Sequence, residues 1–223
     1  MTTTKTLTSL KWYDFLILTL LLFGWFIYKS SAYAFGWIAT SDTGTASTSY
    51  NYLPNLILQS ALLFAAIVYL MLRRFDFKQI PIRFDWRVPL WGFALFFALG
   101  LVFDGVNSLL GPYNYFGAEM WRYFDWSFVG VLQKFATLPL IMVLYSILNG
   151  IYEEFFFLGL LGNAKQAHPF IAVFFSTLIR ISFHTYQGWQ AALITGIGVG
   201  LLFYVLYRFK IKNLAPFFFL LLS

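Results

Sequence analysis

The chain has 223 residues, of which 60% are hydrophobic and only 11% charged, with a formal net charge of +6. Its apolar runs approach or exceed the ~20 residues that cross ~30 Å of hydrocarbon, which excludes an ordinary soluble globule. The absence of cysteine excludes disulfides, iron–sulfur clusters and thiol catalysis, and it suits a bacterial membrane protein.

A backbone in lipid must satisfy its own hydrogen bonds, and the runs lack the ~10-residue in/out alternation of a transmembrane barrel. The sequence therefore predicts an all-α fold: a polytopic transmembrane helix bundle of about six to seven spans, forming a single domain. The spans are expected at 13–29, 52–72, 88–110, 128–150 continuing to about 162, 169–186, 190–208 and 214–222. Residues 1–127 supply the N-terminal helices with an interfacial strip at 73–87, and 128–223 form the core that carries the candidate site, the two parts being one integrated bundle.

The first span follows Lys5 and Lys11, and Ala32-Tyr33-Ala34 imitates a leader cleavage site. Lys29 separates that tripeptide from the apolar run, which is itself long enough to cross, so an uncleaved first span is expected. Thr40–Asn51 is a polar loop. The strip after the second span interleaves Arg73, Arg74, Lys78, Arg83 and Arg87 with aromatic residues including Trp86. Such a strip is expected to rest on anionic headgroups rather than to bind nucleic acid. Asp104 and Asn107 lie in the third span, either lining a cavity or, for Asp104, close to the external interface. Lys134 near the outer end of the fourth segment is expected to snorkel. Ala192, Gly196 and Gly200 recur every four residues in the sixth span, a spacing that lets helix backbones approach closely. No internal repeat supports a transporter that would use the carboxylates as a proton relay.

Basic residues gather at Lys5 and Lys11, at 73–87, at Lys165, and at Arg208, Lys210 and Lys212, whereas Ser30–Asn51 has one acidic residue and no basic one. The positive-inside rule then predicts a multi-pass protein of the cell membrane with a cytoplasmic N-terminus and an external 30–51 loop.

Glu153 and Glu154 interrupt the apolar segment Ile151–Leu161. An ionised carboxylate in hydrocarbon costs kilocalories, so such groups face a bundle interior or a wet cavity. If the fourth segment returns to the cytoplasm near Asn163, Glu153 lies about 15 Å inside that end, with Arg180 and His184 about 17 and 23 Å deep in the next span. Arg180 and His184, four residues apart, share a helix face. All four groups are expected to converge in one cavity open toward the cytoplasmic side. Two adjacent carboxylates cannot both be ionised cheaply in a low-dielectric site without a cation, and Arg180 is the natural one. A glutamate there can take a proton from water, and a histidine can donate a hydrogen bond to the oxyanion formed when water attacks a carbonyl. From the charges alone, an ion-pair network that fixes helix register is an equal alternative. Glu153, Glu154 and His184 could also ligate a divalent metal, although the zinc pattern of two histidines on one helix is missing. His168 is read as an interfacial residue, and Tyr186, Gln187 and Gly188 as a polar rim.

The Glu153-Glu154 pair followed by aromatic residues, the span ending Ser182-Phe183-His184, the glycine-rich span and Asn213-Leu-Ala-Pro216 together resemble the CAAX protease and bacteriocin-processing (CPBP) family of intramembrane endopeptidases over residues 128–223. The resemblance implies that Glu153, with Glu154 and His184, activates water to cleave a peptide or membrane-protein substrate within the lipid bilayer, in bacteriocin maturation or self-immunity. Leu158 stands where the family carries an arginine and Arg180 where it carries a phenylalanine, so the guanidinium is expected to have moved to the facing helix. The family's third motif, a histidine with an asparagine or aspartate in the last helix, is not found in Phe217–Ser223. It lies beyond Ser223 in a longer protein or is lacking. If lacking, the alternative is a catalytically inactive scaffold that binds a membrane-protein partner such as a sensor kinase.

Overall fold

The computed structural model describes residues 7, 9–37, 52–110, 127, 129–130, 133, 136, 139–163 and 169–219. Lys5, Lys134, Lys165, His168 and most of the 30–51 loop lie outside the described residues, as do the side chains of Asp104 and Asn107.

Every element built from the described residues is helical. Helix α1 (Trp12–Ala34) starts where the Lys11 backbone N–H donates to Asp14 Oδ2 at 2.8 Å, the third helical residue reaching back to the cap. Helices α2 (Tyr52–Leu72) and α3 (Arg87–Leu110) follow, with Asp85 Oδ1 accepting from the Arg87 N–H at the start of α3. Helix α4 (Leu140–Leu161) is α-helical to Glu154 and then winds more widely over Phe155–Leu161, a π-helical stretch of the kind often found beside functional residues. Helix α5 (Pro169–His184) opens on proline, whose missing N–H costs nothing in a first turn. It ends earlier than the expected 186, because Thr185–Gln187 tighten into a 3₁₀ turn and Gly188 takes φ 92°. Helix α6 (Trp189–Ile211) contains two further wide turns and stops at Lys212, whose backbone is left-handed. Of the expected last span, the described part is a 3₁₀ turn over Ala215–Phe219.

Four of these helices, α1, α2, α4 and α6, are long and apolar enough to cross a membrane, and shorter apolar segments occur in α3 and α5. Their outward faces carry Leu16, Leu20, Phe64, Met71, Phe93, Phe97 and Phe174, all exposed, which suits contact with lipid chains.

The core is aromatic. Phe23 of α1 lies 5.0–5.5 Å, centroid to centroid, from Tyr152, Phe156, Phe157 and Phe183, and so ties α1 to α4 and α5. Such pairs add about 0.5–1.5 kcal/mol each beyond the area they bury. The small-residue pattern of α6 brings it against α5: a Cβ at Gly196 would collide with Ile181, and one at Gly200 would meet Arg180 Cδ at 3.4 Å. Gly150 serves the same purpose for the C-terminal turn, since a Cβ there would lie 2.5 Å from the Phe218 carbonyl oxygen.

The two ends of the bundle differ. At one end lie Lys11, Arg73, Arg74, Lys78, Arg83, Arg87, Arg208, Lys210 and Lys212, all but Arg73 exposed. This end is closed by polar clamps. Asp14, fully buried, accepts from Arg73 Nε at 2.7 Å, from the Tyr69 hydroxyl at 2.6 Å and from the Lys11 N–H, fastening the start of α1 to the end of α2. The Asp14 carboxylate in turn holds Arg73 still more firmly protonated. Asn213 exchanges two hydrogen bonds with the Arg83 backbone, 2.9 and 2.7 Å, and Leu214 N–H donates to Pro81 O. The strip 73–87 is therefore stitched to the chain after α6.

Replacing Arg73 by Leu strands a buried carboxylate that keeps two other donors. It should cost about 1–3 kcal/mol, read as a lower thermal midpoint in detergent. Adding Asp14→Leu removes the stranded charge, so the double variant should lie closer to wild type than Arg73→Leu alone. Gly150→Ala should displace the 215–219 turn and lower the same midpoint by about 1–3 kcal/mol, as overpacking does.

Candidate active site

The wide winding that begins at Phe155 follows directly on the glutamate pair, so the two carboxylates sit where α4 changes pitch. Both are buried, Glu153 at 3% and Glu154 at 0% exposure, and so is Arg180 at 2%. From α5, Arg180 reaches across to both: Nη1 lies 3.3 Å from Glu153 Oε2 and Nη2 lies 2.7 Å from Glu154 Oε1. The guanidinium that the family pattern places at 158 thus comes from the facing helix, and Leu158 is packed in the core. Phe157, one helical turn beyond the glutamates, lies under the Arg180 guanidinium at 4.1 Å, a contact worth about 2 kcal/mol when water is excluded. One guanidinium faces two carboxylates, so the cluster is neutral when it holds one proton.

The two glutamates are not equivalent. Glu153 lines a cavity of about 590 Å³ between α1, α2, α4 and α5, and Glu154 does not. Glu154 Oε1 is bonded to Arg180, and its Oε2 is buried without a partner among the described residues, as is Arg180 Nε. Glu153 receives one donor on each oxygen, Arg180 on Oε2 and Asn149 Nδ2 on Oε1 at 2.9 Å. A carboxylate only accepts, so Asn149 turns its nitrogen to Glu153 and its oxygen to Gln59 Nε2, 2.8 Å away. The polarity of this relay leaves Gln59 Oε1 as a buried acceptor without a partner in a residue of the cavity wall.

His184 also lines the cavity. Its Nδ1 lies 3.0 Å from the Arg180 carbonyl oxygen. A carbonyl cannot donate, so Nδ1 carries a proton, and the neutral imidazole keeps its lone pair on Nε2. In that form His184 can accept a proton or a hydrogen bond, whereas the sequence reading has it donate to an oxyanion. Phe183 on one side and Tyr186 on the other, at 4.2 and 6.4 Å between ring centroids, hold the ring. Of the expected rim, Tyr186 and Gln187 line the cavity, and Gly188 supplies the turn that follows.

One expectation conflicts with another. The cavity lies at the end of the bundle formed by the close of α1 and the start of α2, with Lys29, Tyr33, Tyr52 and Asn55 in its wall. That is the end away from the N-terminus and from the basic strip, so a cytoplasmic N-terminus and a cytoplasmic cavity cannot both hold. As for the metal that Glu153, Glu154 and His184 could have ligated, among the described residues no group of three or more His, Asp or Glu is placed to hold one, and Glu154 is turned to Arg180.

Sequence reasoning passed over Gln59 and Asn149, the two amides that orient Glu153, and over Asp14 at the other end. Asn149 could have been found from its position one helical turn before Glu153 on the same face. Gln59, on a separate helix, left no comparable signal. Asn213, quoted for the resemblance, belongs to the clamp with Arg83 and not to the site.

Neither the curated proteins nor the solved structures yield a match to the chain. Residues 135–220 match the family model described as Type II CAAX prenyl endopeptidase Rce1-like, and this stretch contains Glu153, Glu154, Arg180 and His184, the residues on which the CAAX-protease resemblance stands.

Proposed function

We propose that the protein is an intramembrane peptidase in which Glu153 activates water. The observation that carries this reading is the division between the two glutamates: Glu153 opens on a cavity, oriented by one donor on each oxygen, while Glu154 is sealed against Arg180. Each Glu153 oxygen keeps a further lone pair for a water O–H. The water oxygen bonds to the carbonyl carbon of a peptide as its proton passes to Glu153. When the carbon–nitrogen bond breaks, that proton leaves with the amine, and Glu153 is regenerated. His184 Nε2, on the same cavity, supplies a second acceptor to fix the water. Arg180 offsets the charge that two carboxylates would otherwise bring into a buried site, and the Gln59–Asn149 relay holds the rotamer of Glu153.

The test is cleavage of a peptide library by the purified protein in nanodiscs, read by mass spectrometry. Glu153→Gln should lower cleavage by about 10²–10⁴-fold, the usual contribution of a general base, and Glu154→Gln should lower it less. A larger loss at Glu154 would reverse the assignment of roles, and no cleavage by wild type would leave an inactive binding scaffold.

Arg180→Leu strands two buried carboxylates and should reduce folded yield, since breaking such a pair costs about 3–5 kcal/mol. Adding Glu154→Gln removes one of the stranded charges and should recover part of the yield. Equal yields for wild type and Arg180→Leu would show that the guanidinium is not needed to house the glutamates.

A further inference from the structure

We propose that the cavity at Glu153 and His184 takes its substrate from the extracytoplasmic side of the membrane. This rests on the peptidase reading and narrows it: the substrate is a polypeptide segment exported to or exposed on that side, not a chain end presented in the cytoplasm.

Three observations meet here. The first is where the cavity sits. Its wall comes from the second half of α1, the first turns of α2, Met142 to Glu153 of α4 and the close of α5 with the turn after it, reaching from mid-bundle to one end. Met142, the outermost cavity residue of α4, precedes Glu153 by eleven residues, roughly 16 Å along the axis. The second is that the described residues close the path from the other end. Beyond the glutamates every residue of Phe155–Leu161 is buried, and behind them Asn163 bonds the Tyr207 hydroxyl at 2.7 Å while Leu214 and Ile80 close on Gly159. Water that reaches Glu153 therefore enters through the cavity.

The third is charge. The shut end carries nine of the described basic residues, whereas Lys29 is the basic residue in the cavity wall. An excess of Lys and Arg in short loops sets the cytoplasmic side. The cavity end is then the external one. Its wall offers rings (Tyr33, Tyr52, Tyr145) and neutral acceptors, including the unpartnered Gln59 Oε1, which suits an extended peptide backbone with its N–H donors.

The chain has no cysteine, so single cysteines report access directly. Asn55→Cys and Ser146→Cys place a thiol in the cavity wall, and Lys78→Cys places one at the basic end. Each full-length variant is treated with a membrane-impermeant maleimide in right-side-out and in inverted vesicles, with labelling in denaturant as the control for thiol content. Both cavity cysteines should label in right-side-out vesicles and lose that labelling in inverted ones, with Lys78→Cys showing the reverse. Cavity cysteines that label only in inverted vesicles, or from neither side, overturn the proposal. Because labelling needs no hydrolysis, absence of cleavage alongside external labelling defeats the peptidase reading and leaves the direction of access standing. Where cleavage is found, a soluble peptide cut outside right-side-out vesicles marks a released peptide as the source, and cutting only of a segment tethered to a transmembrane helix marks a membrane protein. Cleavage confined to peptide supplied to inverted vesicles overturns the proposal.

Discussion

The structure turns on one buried guanidinium placed between two buried carboxylates. Arg180 makes a single hydrogen bond to each glutamate instead of a bidentate bond to one, and so couples them. Burying three ionisable groups is costly unless they compensate one another, and the surrounding architecture serves that compensation. Gly200 lets α6 pass close to the Arg180 stem, Phe157 covers the planar face, and Phe23 holds Phe157 and Phe183 in place.

The spacing of Glu153, Glu154 and Phe157 explains how one helix can present both charge and ring to the same cation. In a regular α-helix residues three and four apart share a face. Phe157 lies four residues after Glu153 and three after Glu154, and so reaches beneath the guanidinium that both engage, within the wide winding of Phe155–Leu161. The Asn163 side chain takes up carbonyls at the end of this stretch, those of Leu158 and Gly159. The irregularity is thus supported at both ends.

The bundle is also polarised along its axis. One end is fastened by the Asp14–Arg73–Tyr69 group, the Asn213–Arg83 exchange and the Asn163–Tyr207 bond, and the other encloses a cavity whose wall mixes rings with amides. A protein that must keep helices together while hollowing one end in lipid cannot rely on apolar contact alone, since lipid tails compete for it equally. Hydrogen bonds between chain segments far apart in sequence carry the closed end, and a hydrogen-bond relay orients Glu153 at the hollow one.

Sequence alone determined the fold class, because helix is the backbone arrangement that long apolar runs without barrel alternation allow in lipid. It also marked Glu153, Glu154, Arg180 and His184, because charge inside an apolar run is expensive enough to stand out without any knowledge of neighbours. The close approach of α6 was legible too, since small residues four apart lie on one face whatever they face. Tertiary structure decided the rest. Which glutamate meets the cavity depends on the rotation of α4 and its wide turn, and no periodicity in the sequence encodes that. Gln59 and Asn149 are ordinary polar residues until α2 and α4 are placed side by side, and Asp14 is an ordinary first-turn acid until Arg73 and Tyr69 arrive from α2. Depth alone does not give the end of the bundle at which the cavity lies, because distance from one end of a helix does not say which end is filled. Packing filled the basic end with Phe155–Leu161 and the clamps behind it, and so left the other end to water.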